Sequence, residues 1–315
     1  MADSYDQFLA AAGTMTRETW PDLINKAIDV IWSQKNEAPN LVLGQFFDKQ
    51  VKSAGRTHVI SSVTSHLQMP REAEDLDPKP YVVAAPGRDK TFTVVNYQLA
   101  VRATDTAFRM DRFDKIMYAV SGMLQSAKRF DEYHYAAVLN DAFTGTDGDD
   151  SLSLCNSSHP NENRDTGTWD NSSTGALSGP NLHAAILLAD SMTDAQGDPN
   201  PTGGPYTLVI PKELRQTAIE LTMTSDKPGT ALNDTNALLT DVTWVKSNYL
   251  SSAVQYYLFC GLKGEEKGLH EVELLGWDLS DNSPANVDVK VDRRIKAIKT
   301  YGFTHSRNLI GSTGA

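Results

Sequence analysis

Two stretches of the chain repeat apolar residues every three or four positions, and between and after them apolar residues gather in β-branched runs. The first helical stretch opens at Thr19-Trp20-Pro21, with proline in the first turn, where its missing N–H costs nothing. Leu23, Ile24, Ala27, Ile28, Ile31 and Trp32 form its apolar stripe, which must lie on something, and it ends by Glu37-Ala38-Pro39. A shorter apolar run, 41–47, follows. The second helical pattern is the strongest in the protein, stepping through Phe113, Ile116, Met117, Val120, Met123, Leu124, Ala127, Phe130, His134, Ala137 and Val138. Asp111 with Asp114 predicts its N-terminal cap and Gly145 its stop. At 1.5 Å per residue, about 30 residues make a rod of roughly 45 Å, longer than the usual three or four turns.

Strand signals fill 56–64 (Arg56-Thr57-His58-Val59-Ile60) and 90–102 (Phe92, Val94, Val95, Tyr97, Leu99, Val101), which read as the two arms of one excursion. Between them Pro70, Glu72, Glu74, Asp75, Asp77, Pro78, Lys79, Pro80, Pro86 and Gly87 cannot continue a ladder and predict an exposed, charged tip. A two-stranded ribbon of this length is marginal alone and needs support from outside itself. Residues 144–181 are rich in Asn, Asp, Gly, Ser and Thr, which predicts a long irregular surface loop. Helices are then expected at 182–192 and 212–223, and strands at 206–210, 243–245, 256–260 and 269–275. Residues 287–301 read as a strand or hairpin arm, and the end, Gly311-Ser312-Thr313-Gly314-Ala315, as a tail. Interleaving without βαβ regularity makes the class α+β, and no internal repeat is visible.

Composition narrows the function. The 315 residues are 40% hydrophobic and 22% charged, as in an ordinary soluble globular protein. With 29 Lys and Arg against 40 Asp and Glu, the net charge of −11 argues against a protein that grips nucleic-acid phosphates. Cys155 and Cys260 lack CxxC spacing and read as two reduced, packed thiols. No run approaches a membrane span, and Met1-Ala2-Asp3-Ser4 lacks the basic start of a signal peptide, so a cytosolic origin is expected.

Little assembles as chemistry. Asp147, Asp149 and Asp150 beside Gly145 and Gly148 hint at a calcium loop but lack its spacing and its closing Glu, so a solvated loop is expected. His159 is a candidate base or metal ligand for which no partner can be named, and His134 reads as a packed core histidine. Gly203-Gly204 precede a strand rather than a helix, the wrong order for a phosphate loop, and no GxSxG elbow is present. Lys290, Arg293, Arg294, Lys296 and Lys299 alternate with apolar residues and read as an exposed strand face.

Taken in order, these elements resemble the major capsid proteins of tailed bacteriophages, the Hong Kong 97-type fold, over nearly the whole chain. The finer likeness is to the Mu-like major head subunit branch. It rests on Leu154-Cys155-Asn156-Ser157-Ser158-His159-Pro160, Leu177, 182–192, and Tyr206-Thr207-Leu208-Val209-Ile210-Pro211 with Leu214, Ala218 and Leu221. It continues through Asn236, Val245, Leu250, Tyr256-Tyr257-Leu258-Phe259, Gly268-Leu269, and Asp292 leading to Tyr301-Gly302-Phe303.

The resemblance implies an N-terminal arm at 1–36, a first P-domain segment at 37–55 and an E-loop at 56–104. It then implies P-domain at 105–189 with its spine helix at 107–143, an A-domain at 190–285, and a P-domain return strand with C-terminal tail at 286–315. It implies a structural shell protein that assembles into hexamers and pentamers around double-stranded DNA, without catalysis, cofactor or metal. Expected partners are further copies of itself, a separately encoded scaffolding protein, a portal protein and a cement or decoration protein, with no membrane and no sequence-specific DNA contact. The expected location is the virion capsid, after assembly in the host cytoplasm.

Candidate intersubunit contacts are Trp20 and Trp32 on the arm, and Arg71, Glu72, Glu74, Asp75, Lys79, Arg88 and Lys90 on the E-loop. Some members of the fold join subunits through a Lys to Asn side-chain bond. Lys79 and Lys90 lie in the right region, but no matching Asn or Glu can be identified, and surface lysines are the simpler reading. Two rivals are an encapsulin-like cellular nanocompartment shell and a metal-dependent hydrolase built on His159 and the Asp-rich loop.

Overall fold

The computed structural model describes residues 42–63, 86–104, 113–161, 167–193, 204–224, 236, 238–261, 268–281, 289–304 and 307–315. The N-terminal helix with Trp20 and Trp32, the ribbon tip with Arg71, Glu72, Glu74, Asp75 and Lys79, and the cap at Asp111 lie outside these residues.

The first half of the described chain runs β1 (Asp48–Val51), β2 (Thr57–Val63), β3 (Pro86–Thr93), β4 (Val95–Thr104), α1 (Phe113–Asn140), β5 (His159–Pro160), β6 (Thr168–Trp169) and β7 (Ser172–Ser173). The second runs α2 (Gly179–Asp190), β8 (Tyr206–Ile210), α3 (Arg215–Thr222), α4 (Leu238–Asp241), β9 (Val242–Lys246), β10 (Tyr256–Cys260), β11 (Leu269–Asp281), β12 (Val289–Phe303) and β13 (Leu309–Ser312). The chain divides into two compact units. The described part of one comprises Asn96–Phe130 with Leu275–Ile298; the other holds the rest.

In the larger unit a five-stranded sheet has the order β7-β13-β10-β8-β9. Its inner strands β13, β10 and β8 are buried on both faces, which is why β8 and β10 read as mainly apolar runs rather than alternating ones. Along β10, Tyr256, Leu258 and Cys260 enter one core, packed with α2 residues Leu182, Ala185 and Ile186 and α3 residues Ala218 and Leu221. Tyr257 and Phe259 point to the other core with Leu43, Phe46, Leu139 and Leu154. The same two-residue period splits Leu208 and Ile210 from Val209 in β8, and Ile310 from Leu309 in β13. Helix α2 starts where Ser178 accepts a hydrogen bond from the Asn181 N–H at 3.5 Å with proline in the first turn.

The fold departs from four expectations. The 90–102 run is two strands: β3 pairs antiparallel with β2, and after the buried Val94, whose N–H donates to the Arg56 carbonyl at 3.0 Å, β4 leaves to flank β12. The predicted tail begins instead inside strand β13, whose Leu309–Ser312 are all buried between β10 and β7. It needs glycine, because a Cβ at Gly311 would collide with Cys155 Sγ and come within 2.9 Å of the Phe143 ring. The 144–181 segment is not simply surface: Leu154, Cys155, His159, Trp169 and Asn171 are buried in it. Asn171 ties the segment down, donating from Nδ2 to the Leu154 carbonyl at 2.8 Å and accepting the Asn156 N–H at 2.8 Å. Finally, the basic run of β12 is no exposed face, since Lys299 is 2% and Arg293 5% exposed.

In the smaller unit α1 buries Val120, Met123, Leu124 and Ala127, and Phe130 lies against Tyr97 and Trp277 at 4.5 and 5.6 Å between ring centroids. Arg102 of β4 donates to the buried Asp292 carboxylate of β12 at 2.9 Å. No helix among the described residues is long and apolar enough to cross a membrane.

Candidate functional site

Strands β2 and β3 form the ribbon that the excursion predicts. Its register sets Thr57 opposite Thr93, Val59 opposite Thr91 and Ser61 opposite Asp89. These six residues share one face and are exposed, Val59 at 50%. The other face carries His58, Ile60, Lys90 and Phe92, and is partly covered. Phe92 is 5% exposed and fills the space that a side chain at Gly302 would take, its Cε1 standing 2.7 Å from the Cβ position. The root of the ribbon is thus anchored by packing, while its outward face is mostly polar with one exposed valine. At that root Gln50, Val51, Lys52, Ser53, Ala54 and His58 line an open, mostly polar hollow. There His58 pairs with Gln50 Oε1 at 2.8 Å. Burial and the Lys52 charge hold the His58 imidazole below its ordinary value.

Of the candidate contact residues, Arg88 and Lys90 are described, both on β3 and half-buried. They are brought onto one strand; Lys90, opposite Ile60, shares the face that includes Phe92, and Arg88 sits where the register shifts. The other seven lie outside the described residues.

His159 and the Asp-rich loop meet, but not as a solvated site. His159 Nδ1 lies 2.6 Å from Asp150 Oδ2, both side chains are 3% exposed, and the imidazole stacks on Trp169 at 4.2 Å. Arg307 lies over the Trp169 ring at 4.6 Å. Burial works to raise the Asp150 carboxyl. The hydrogen bonds from His159 and the Leu152 N–H, with the charges of His159 and Arg88, outweigh it and hold the group below the usual range. The expectation of a solvated loop therefore fails at Asp150, because the side chain is consumed in bracing a turn whose Leu152 N–H it caps at 2.9 Å. Among the described residues no three His, Cys, Asp or Glu side chains converge as a metal site. The pairing escapes sequence reading because its partners are nine residues apart on an irregular segment with no periodicity.

His134 is half-buried and stacks on Tyr301 at 5.1 Å, its pKa lowered mainly by burial. Cys155 and Cys260 are both buried free thiols; burial raises Cys155 and pushes Cys260 up to about 12, so neither is a ready nucleophile.

A further polar cluster has no counterpart in the sequence reading. Lys299 of β12 reaches Asp131 of α1 at 2.6 Å and Glu271 of β11 at 3.3 Å. Nearby Glu132 accepts the backbone N–H groups of Val42 and Leu43 at 3.1 and 3.3 Å, fastening the start of the described chain to α1. Only the alternation of charge with apolar residues along 289–303 offered a signal for Lys299, and it pointed outward.

The fold defined by these elements is that of the Hong Kong 97-type capsid subunits. The chain is similar to the capsid protein of cyanophage P-SCSP1u, with 11% identity, 85% of this chain and 86% of that chain covered, and a TM-score of 0.53. It is also similar to that of Staphylococcus phage Andhra, with 10% identity, coverage of 86% and 83%, and a TM-score of 0.51. For the Myoviridae phage XM1 capsid the identity is 11%, the coverage 89% and 93%, and the TM-score 0.50. No curated protein sequence matches the chain. The model of the phage capsid protein family matches residues 88–307, and the chain belongs to that family. It is a structural major capsid protein, a subunit of the shell of a bacteriophage virion.

Proposed function

We propose that the subunit assembles into hexamers and pentamers that close an icosahedral shell around a double-stranded DNA genome, and that it carries no catalytic activity. The family match over residues 88–307 supports this reading most strongly. In it, residues 56–104 are the E-loop; its β2–β3 ribbon lies across a neighbouring subunit, where burial of the outward face replaces the support a two-stranded ribbon lacks, while β4 stays beside β12 of its own chain. Arg88 and Lys90, with Arg71, Glu72, Glu74, Asp75 and Lys79, contact that neighbour, as do Trp20 and Trp32 from an arm at 1–36. The P-domain comprises 37–55, 105–189 and 286–315, and the A-domain 190–285, near the five- and six-fold centres. The sheet that supports an A-domain reading also recruits β7 and β13 from outside that interval.

The net charge of −11 suits a wall along which packaged DNA slides. Within the family we place the chain nearest the Mu-like branch, on the order of its apolar motifs. A separate scaffolding protein, a portal protein and a cement or decoration protein are the partners that fit a shell built in the host cytoplasm.

Negative-stain microscopy of the expressed protein, alone and with its scaffold, tests the reading. Capsomer rings or angular shells are expected; a monomer that never assembles under either condition overturns it. Deleting residues 70–87 should leave a foldable subunit and weaken the particles, and shells of undiminished stability would refute the role given to the E-loop.

A further inference from the structure

Lys299 is 2% exposed, and its ammonium faces two carboxylates rather than one: Asp131 Oδ1 at 2.6 Å and Glu271 Oε1 at 3.3 Å. Each carboxylate also accepts from a tyrosine, Tyr301 donating to Asp131 Oδ1 at 2.7 Å and Tyr135 donating to Glu271 Oε2 at 2.5 Å. The two phenol rings meet edge to face at 5.2 Å, and Lys299 Nζ lies 5.6 Å from the centre of the Tyr301 ring. His134 stacks on Tyr301, and Lys49, in its own ion pair with Glu273 at 2.7 Å, is the next cation. One amine, an electrophile in contact with it and a second carboxyl able to carry protons are thus held in a dry site walled by aromatic rings.

We propose that Lys299 and Asp131 are a self-modification site at which an isopeptide bond forms within one subunit, with Glu271 as the proton relay. A proton passes along the 2.6 Å contact from Nζ to the Asp131 carboxylate, turning ammonium and carboxylate into amine and acid, which are the forms low dielectric favours. The Nζ lone pair attacks Asp131 Cγ and charge gathers on Oδ2, while Oδ1, protonated across that contact and held by the Tyr301 hydroxyl, becomes the leaving oxygen. Glu271 accepts a proton from the attacking nitrogen and returns it to the departing Asp131 oxygen. The C–O bond breaks, water leaves and an amide remains. One ammonium and one carboxylate are consumed, one water is released, and nothing is oxidised or reduced. Proximity supplies the driving arrangement: the groups are already in contact, so no association step opposes the reaction. The product removes a charged pair from the interior and staples α1 to β12 across a long stretch of chain. It joins two positions of the same subunit and is independent of any bond between subunits.

Intact-mass spectrometry of the denatured full-length subunit tests this, whether or not shells form. A mass about 18 Da below that of the sequence is expected, one water lost. A branched tryptic peptide joining the Asp131 and Lys299 fragments should carry the difference. Glu271→Gln should return the full mass while circular dichroism still reports a folded subunit. Wild-type protein of full sequence mass, both unassembled and in particles, overturns the proposal. So does an 18 Da loss that maps to the Asp147-Gly148 turn as a cyclic imide.

Discussion

Strands β10 and β2 are similar in length and both rich in residues that favour extended backbone, yet they live in opposite surroundings. β10 is flanked by β13 and β8 and sends alternate residues into two separate cores, so that all five of its side chains are buried. β2 has β3 beside it and exposes Thr57, Val59 and Ser61. Burial of an aromatic side chain in β10 stabilises the subunit by about 2 to 3 kcal/mol. The outward face of the ribbon contributes almost nothing to the same molecule. The five-stranded sheet is complete within one chain; the ribbon leaves its outward face uncovered among the described residues.

The sharpest way to break this contrast is to truncate each strand in turn. Phe259 is 1% exposed and stacks on Phe46 at 4.1 Å, so Phe259→Ala should cost about 4 kcal/mol, read as a fall in the urea midpoint of the unassembled subunit.

Next is Glu132, where a single carboxylate serves two backbone donors. Glu132→Ala orphans both N–H groups and should cost about 2 kcal/mol. Burial raises the Glu132 carboxyl above its usual value despite those donors, so its charge is held at a cost that grows as pH rises through the folded-state value. Glu132→Gln keeps an acceptor without the charge and should leave neutral-pH stability within about 0.5 kcal/mol of wild type or above it, by thermal melting.

Asp150 behaves in the opposite sense. Its folded value is depressed, so its contribution is present above the unfolded value and is lost as pH falls through the folded one. The melting temperature of wild type should therefore drop more steeply than that of Asp150→Asn below about pH 4.

The smallest effect belongs to the ribbon. Val59→Ser should change the unassembled subunit by less than about 0.5 kcal/mol. A clear loss of particle stability from the same substitution would sharpen the contrast, and a large loss in the free subunit would end it.

Most of the large sheet could be read in advance, since runs such as Tyr206 to Ile210 and Tyr256 to Cys260 are apolar at nearly every position and closed by Pro211 and Gly261. The break at Val94 could not. Apolar residues continue through it, and strand propensity carries no information about which neighbour a backbone will bond to. β13 escaped for the converse reason. Gly311 and Ser312 look like loop residues, and their value lies in being small enough to sit beside Cys155 and Phe143, a demand set by distant parts of the chain. The polar clusters were hidden in the same way: Asp150 with His159, and Lys299 with Asp131 and Glu271, are joined by tertiary geometry alone. Of the candidate contact residues, the sequence could name a region but not a face, and Lys90 lies on the less exposed one.

The position of β13 also orders events in time. It fills the slot between β7, more than a hundred residues upstream, and β10, so both neighbours are made long before their shared partner. Until residues 309–312 leave the ribosome, β10 keeps an open edge and both cores lack a wall, the kind of species that pairs promiscuously with its own kind. Pairings as distant in sequence as Gly311 with Ser172 form late in folding. Residues 309–312, rather than any earlier segment, thus decide when the large sheet is complete.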